Sequence, residues 1–418
     1  MTREKKNIYL VLRQVEKLLK VKTPDEAVKI IKNILLGRVF QVETVELTAA
    51  AGRVLHTDII SGENVPGFDR STVDGYAVIA SDTFGCSESI PAVLNLAGEV
   101  LMGESAADRL LPGTCMIVST GGALSEGADA VVMVEHTEDY GSNMVGIHKP
   151  AAPGNNLIFK GDDVSVGDIT LKAGTKLTPH DIGILAALGF CEVNVRSKPI
   201  VGIISTGDEL VEASAVPGVG QVRDVNTPML LAVSARFGAA VKNYGIIRDD
   251  ETAVRSAVRA AAGECDIVLI SGGSSAGARD LTARIIESEG ELLLHGIAMK
   301  PGKPTILGMI DKTPIFGLPG HPVAAYLVTE LFVRPLIVEF MGAAVKRRTT
   351  IAKLSEAISS NHGRAEYIAV RLDDTGIANP IRGKSGLIAS LTGVDGYISV
   401  PRDCEGLPAG SDVIVTYF

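Results

Sequence analysis

In the middle of the chain, short unbroken apolar runs alternate with stretches in which apolar residues recur every three or four positions. Residues 200–205 and 266–270 are of the first kind, and 227–237, 251–262 and 281–289 of the second, with a further strand placed over 242–247. Unbroken runs suit strands covered on both faces, and the spaced ones suit amphipathic helices. Their alternation predicts a doubly wound α/β domain on a parallel sheet, with ligands at the carboxyl ends of the strands. A helix over 181–189, stopped by Gly189, is placed at the start of this domain, and strands over 304–309 and 314–317 follow it. The apolar stretch 323–341 is interrupted by Glu330, Arg334, Pro335 and Glu339, so it reads as a buried core helix and not a membrane span.

On either side the texture changes. Residues 1–37 carry two helical patterns, the second opened by Thr23-Pro-Asp-Glu and striped by Ala27, Ile30, Ile31 and Ile34. From Val42 short β-type runs predominate, and they return from about residue 347 to the end. The expected organisation is an elongated β-rich linker domain (1–58 and 150–178), a small β domain (59–149), the α/β domain (179–344) and a C-terminal β-barrel-like domain (345–418).

With 418 residues, 46% of them hydrophobic, there is ample material for several cores. A net charge of −9 gives no footprint for nucleic acid, so an anionic ligand needs a local basic pocket. Five scattered cysteines without C-x-x-C spacing argue against a zinc site or a disulfide framework and for a reducing cytoplasm. The first residues show no export signal and no membrane anchor.

Candidate chemistry gathers at the strand ends. Ser271-Gly-Gly-Ser-Ser-Ala-Gly277 breaks the apolar run 268–270 and precedes a helical pattern, as an anion-binding turn would. A tight strand-to-helix turn is the plain alternative. Asp208, Asp224 and Asp280 fall on loops that the topology can converge, which suits a Mg²⁺–nucleotide site; each could equally be a helix cap, and Glu209 could replace Asp208. In Met299-Lys-Pro-Gly-Lys-Pro304 the Pro-Gly turn can direct Lys300 and Lys303 into one oxyanion pocket, or leave both in solvent. Leu318-Pro-Gly-His-Pro322 is a further strand-to-helix junction, where His321 could touch ligand.

These stretches, with Phe68-Asp-Arg-Ser-Thr-Val-Asp-Gly-Tyr76, Ser119-Thr-Gly-Gly122, Gly154-Asn-Asn156, Lys160-Gly-Asp-Asp163, Ser205-Thr-Gly-Asp-Glu209 and Ser385-Gly-Leu-Ile-Ala-Ser390, resemble in order the molybdopterin molybdenumtransferases, the family of MoeA and the gephyrin E domain. The resemblance spans nearly the whole chain. It implies insertion of molybdate into adenylylated molybdopterin with release of AMP, assisted by Mg²⁺, in a cytoplasmic homodimer whose cleft combines the α/β domain of one copy with the small β domain of the other. A molybdopterin adenylyltransferase is the possible upstream partner. The implied catalytic residues are Asp74, Thr120, Asp162, Asp208, Asp280, Lys300 and Lys303. Cofactor contacts fall to Ser271, Gly272, Gly273, Ser274, Ser275, Gly277, Pro319, Gly320, Arg371 and Ser385, and metal ligation to Asp208, Asp224 and Asp280. Three departures from the family pattern stand out. The glycine loop is Gly-Gly-Ser-Ser-Ala-Gly where Gly-Gly-Val-Ser-Val-Gly is common. His321 replaces an Asn, and Asp162 a Glu, which admits a preference for tungstate. An adenylyltransferase and a non-catalytic scaffold are the rival functions.

Overall fold

The computed structural model describes residues 21–36, 39–104, 109–272, 276–345 and 347–418, the stretch 276–280 as backbone only. The first predicted helix, within residues 1–20, lies outside the described residues. The chain divides into two compact units, a smaller one formed by 44–51 and 55–194 and a larger one formed by the remainder.

Helix α1 (Pro24–Ile34) belongs to the larger unit and starts at a reciprocal cap. Thr23 Oγ1 accepts from the Glu26 N–H, and the Glu26 carboxylate accepts from the Thr23 N–H at 2.7 Å. Its predicted stripe is the packed one: Ala27 and Ile31 are buried, with Ile30 and Ile34 against the same core.

In the smaller unit, β1 (Gly75–Val78), β2 (Ala92–Val100), β3 (Thr114–Val118), β4 (Ala130–Met133), β5 (Thr137–Gly141) and β6 (Met144–Ile147) form one sheet in the order β4-β1-β3-β2-β6-β5. Val78, Leu94, Cys115, Val132, Val145 and Ile147 fill its core. Helix α2 (Pro179–Ala187) also belongs to this unit, capped by Thr178 and Asp181, and the loop after it is tied down by the Leu47 N–H donating to Cys191 O. The sequence pattern places this helix at the start of the α/β domain; it packs in the smaller unit, and the α/β sheet begins at Ile200 as expected. A nine-residue helix looks the same in either context, and only its packing decides.

The sheet of the larger unit runs β8-β7-β9-β13-β12-β10, from β7 (Ile200–Thr206), β8 (Ala240–Ile247), β9 (Ile267–Gly272), β10 (Glu291–His295), β12 (Ile306–Ile310) and β13 (Thr313–Leu318). The alternation of side chains along β7 and β9 divides the core in two. Val201, Ile203, Ile267 and Leu269 face α3 (Asn226–Arg236), α6 (Pro322–Val328) and α7 (Arg334–Phe340). Ile204, Val268 and Ile270 face α4 (Glu251–Glu264) and α5 (Ala276–Glu289). The expected doubly wound core is therefore present, but the sheet is mixed, because β12 runs antiparallel to both β13 and β10. Only Asp311 and Lys312 separate β12 from β13, and so short a link permits nothing but a hairpin; Asp311 takes the positive φ of 51° that the turn requires.

The C-terminal strands β14 (Thr349–Leu354), β15 (Ala365–Leu372), β16 (Ile377–Pro380), β17 (Gly396–Val400) and β18 (Asp412–Tyr417) run β15-β16-β14-β18-β17, and β17 pairs back onto β15 to close a five-stranded barrel. Strand β11 (Met299–Lys300) adds to its edge in parallel, with Lys300 opposite Glu366. Among the described residues no helix is long and apolar enough to cross a membrane.

Candidate functional site

The carboxyl ends of β7 and β9 and the start of α3 meet in a buried polar knot. Asp224 Oδ1 accepts from the backbone N–H of Asn226 and of Thr227, both at 3.0 Å, and Thr227 Oγ1 also meets Ser205 Oγ at 2.7 Å. Asn226 Nδ2 donates to Ser271 Oγ and to Gly320 O, both at 2.8 Å. Asp224 is thus the buried cap of α3 and fixes the loops around it. Among the described residues no three metal-ligating side chains converge closely enough to chelate an ion. Gly272 lies hard under β7: a Cβ there would come 2.2 Å from both Thr206 O and Thr206 Oγ1. Gly272→Ala is expected to cost about 1–3 kcal/mol in a denaturation experiment, since backbone must shift to admit the methyl.

Beside this knot, Asp208 Oδ1 accepts from the Asp249 N–H at 3.3 Å. Burial, then the charges of Asp208 and Glu209, raise the Asp249 carboxyl above its ordinary value. Asp249 therefore meets two other carboxylates, Asp208 and Glu209, at the ends of β7 and β8. Asp249 was not singled out from sequence, because Arg248-Asp-Asp250 before a helix reads simply as a cap; Asp250 is that cap, and it leaves Asp249 for the cluster. Asp280 lies in the first turns of α5, and neither its side chain nor Gly273, Ser274 and Ser275 are among the described features; Gly277 belongs to the same helix.

A cavity of about 730 Å³ lies between the α/β sheet and the barrel, and Lys300, Lys303, Pro319, His321 and Ser385 all line it. Ser385 Oγ meets His321 Nδ1 at 2.8 Å, and Ser385 O accepts from the Val323 N–H. Sequence reasoning missed Arg364, Arg382 and Lys384, which also line it. Arg364 sits in the polar loop Asn361-His-Gly-Arg364, which has no periodicity to mark it off from a solvated turn. Five cations thus face a single lining carboxylate, Glu366, in walls otherwise largely apolar. Arg371 is not among the lining residues; its guanidinium holds Gly393 O at 2.8 Å and Thr392 O at 2.9 Å, fixing a loop of the barrel.

In the smaller unit Asp74 and Thr120 are brought together across 46 residues. Asp74 Oδ1 accepts from the Thr120 N–H at 2.7 Å and from its hydroxyl at 3.0 Å. Those bonds, the backbone one first, hold the Asp74 carboxyl below the usual carboxylate range. The next residue must be glycine, because a Cβ on Gly75 would lie 2.0 Å from Val132 O. The loop before Asp74 is stitched to its neighbours: Gly121 N–H donates to Ser71 O, Thr72 N–H to Asn156 O, and Lys160 N–H to Asp69 Oδ1. Asp162 closes its own turn by accepting from the Phe159 N–H at 2.7 Å.

Three family models match the chain in succession: the MoeA N-terminal region (domain I and II) over residues 22–189, a probable molybdopterin binding domain over 202–339, and the MoeA C-terminal region (domain IV) over 351–418. The molybdopterin molybdenumtransferase of Bacillus subtilis is 31% identical over 410 residues, 95% of each chain. Molybdopterin molybdenumtransferase 2 of Mycobacterium tuberculosis (strain H37Rv) is 34% identical over 384 residues, 89% of this chain and 94% of that one. A crystal structure of the molybdopterin biosynthesis moeA protein of Pyrococcus horikoshii OT3 superposes with a TM-score of 0.85 at 35% identity, covering 96% of this chain and all of the other. With its family regions in order and most of its length matched by such relatives, the chain belongs to the MoeA family of molybdopterin molybdenumtransferases.

Proposed function

We propose that this protein inserts molybdate into adenylylated molybdopterin and releases AMP, with the oxyanion held in the cationic cavity of Lys300, Lys303, Arg364 and Ser385. The observation that carries this reading is the excess of cations on that cavity in a chain of net charge −9: Lys300 pairs with Glu366 and Arg382 with Glu356, while Lys303, Arg364 and Lys384 make no ion pair among the described residues. Cations at a partly apolar site are worth more to a dianion than the same charges in open water. The reaction hydrolyses the link between two phosphates, and the two dithiolene sulfurs bond to the metal of the tetrahedral oxyanion, one of whose oxygens leaves as water with the two thiol protons. Neither step needs a protein nucleophile; both need positioning and charge neutralisation.

Mg²⁺ fits the carboxylates at the ends of β7 and β8. Asp208 and Glu209 raise the charge cost of Asp249, and a hard divalent ion bound through one or two of these carboxylates would relieve it. Such an ion neutralises phosphate charge when bound. The protein's own part is to hold the phosphates beside the glycine turn and the oxyanion among the lysines. A homodimer is the proposed assembly, the cytoplasm the proposed location, and a molybdopterin adenylyltransferase the proposed supplier of substrate.

The test is AMP release from adenylylated molybdopterin with Mg²⁺, run with molybdate, with tungstate and with neither. Release that requires an oxyanion is the expected result, and the better oxyanion names the metal. ATP consumption without any oxyanion, or no AMP at all from folded protein, would sink the reading. Light scattering checks the dimer.

A further inference from the structure

The two lysines of Lys300-Pro-Gly-Lys303 are not equivalent. Lys300 Nζ is 2.8 Å from Glu366 Oε1, while Lys303 and Arg364 make no ion pair among the described residues. The pair sits on directly opposed positions of β11 and β15. Its partners are unequally held. Glu366 has only 13% of its side chain exposed, and its second oxygen accepts from Ser360 Oγ at 2.8 Å, whereas Lys300 is 55% exposed on a flexible stem. Of the two, Lys300 is the one free to move.

We propose that Glu366 is the internal counter-anion of the oxyanion cavity: it holds Lys300 until an entering dianion, met first by Lys303 and Arg364, takes that lysine from it. Glu366 is then a positioning residue acting through Lys300. It keeps Lys300 from joining Lys303 and Arg364 on any passing anion, and it gives Lys300 a resting place to which it returns when the oxyanion leaves as product. Because Glu366 repels the same dianion that Lys300 attracts, the pair contributes little net affinity, and the unpaired cations supply most of it.

This rests on the oxyanion reading of the cavity, and calorimetric titration of the full-length protein with molybdate alone separates the two. An exposed to half-buried ion pair is worth a factor of a few, so E366Q is expected to bind molybdate about three- to fivefold tighter than wild type. K300Q should lose less than about twofold in the wild-type background, because Glu366 already neutralises that lysine, but about fivefold when added to E366Q. K303Q should lose about tenfold in either background. In turnover, E366Q should lower the KM for molybdate and lower kcat with it, whereas a merely structural role would raise KM. Wild-type protein that binds no molybdate would overturn the oxyanion reading and this proposal together. Wild type that binds, with E366Q unchanged or weaker, overturns the proposal alone. Should E366Q fold poorly, the comparison of half-exposed Lys300 with Lys303 still decides: equal losses for K300Q and K303Q remove Glu366 from the role.

Discussion

Glu330→Ala is expected to destabilise the larger unit by about 3–5 kcal/mol, the cost of removing one partner from a buried ion pair. Glu330 is 2% exposed and lies in the π-helical turn Thr329–Val333 between α6 and α7. Its carboxylate pairs with Arg236 and Arg334 and accepts from Tyr326 Oη. Arg334 has 21% of its side chain exposed and Arg236 48%, so Arg236 can rehydrate when the carboxylate is gone and Arg334 largely cannot. The loss also reaches the barrel. Arg347 donates to Leu331 O in the same turn and, through its other terminal nitrogen, to Tyr397 Oη of β17. Tyr397, Tyr326 and Phe418 pack there edge to face and tilted. Glu330→Gln keeps the shape but takes the carboxylate charge away from both guanidiniums, so it should recover less than half of the loss. A urea midpoint shift worth under about 1 kcal/mol for the alanine variant would mean that both arginines are solvated without it.

That turn also marks where the sequence could and could not be read. Residues 323–341 show as one apolar core helix, and they are buried as expected, but the segment is built as α6, a π turn and α7 with Pro335 in its first turn. Pro335 and the interior Glu330 were visible; that they serve a wide turn whose carbonyls an arginine collects depends on Arg347 and on the barrel behind it. The same limit applies at the site. Apolar runs revealed β7 and β9 because both faces of those strands are covered, and Gly272 at the end of β9 was visible because glycine is the residue that fits under Thr206. Lys300, Lys303 and Ser385 stood out as motif residues, and the fold places them on one cavity. Arg364 and Glu366 did not, since a cation in a polar loop and a carboxylate on a strand acquire meaning only when β11 pairs with β15. Asp224 was legible both as a metal ligand and as a helix cap, and its bonds to the Asn226 and Thr227 N–H groups show the cap, which no pattern in the sequence could have chosen over the other. Antiparallel β12 was hidden by counting strands without weighing the two-residue link between them.

Asp74→Asn is expected to lower the kcat for AMP release by about 10²–10³-fold, the scale of losing one preorganised electrostatic contact to the reacting groups. The substitution isolates charge. The amide oxygen can still accept from the Thr120 N–H and hydroxyl, and Asp74 is exposed, so melting temperature and fold should be unchanged. Thr120→Val leaves the backbone donor, which is the larger of the two causes that lower the Asp74 pKa, and should cost far less, about tenfold. The pH profile gives an independent check. A carboxyl whose folded pKa is depressed is fully ionised above its unfolded value and loses its charge only as pH falls through the lower folded value. Asp74 should therefore add no acidic limb to the activity profile between pH 5 and 8. Asp249, raised by burial and then by the charges of Asp208 and Glu209, is protonated ahead of Asp74 as pH falls, and Asp249→Asn should remove or shift the carboxylate limb of the profile while Asp74→Asn leaves its position alone. An Asp74→Asn protein with wild-type turnover would take the smaller unit's carboxylate out of the chemistry and leave its bond to Thr120 as a means of tying the loop before β1 to the one after β3.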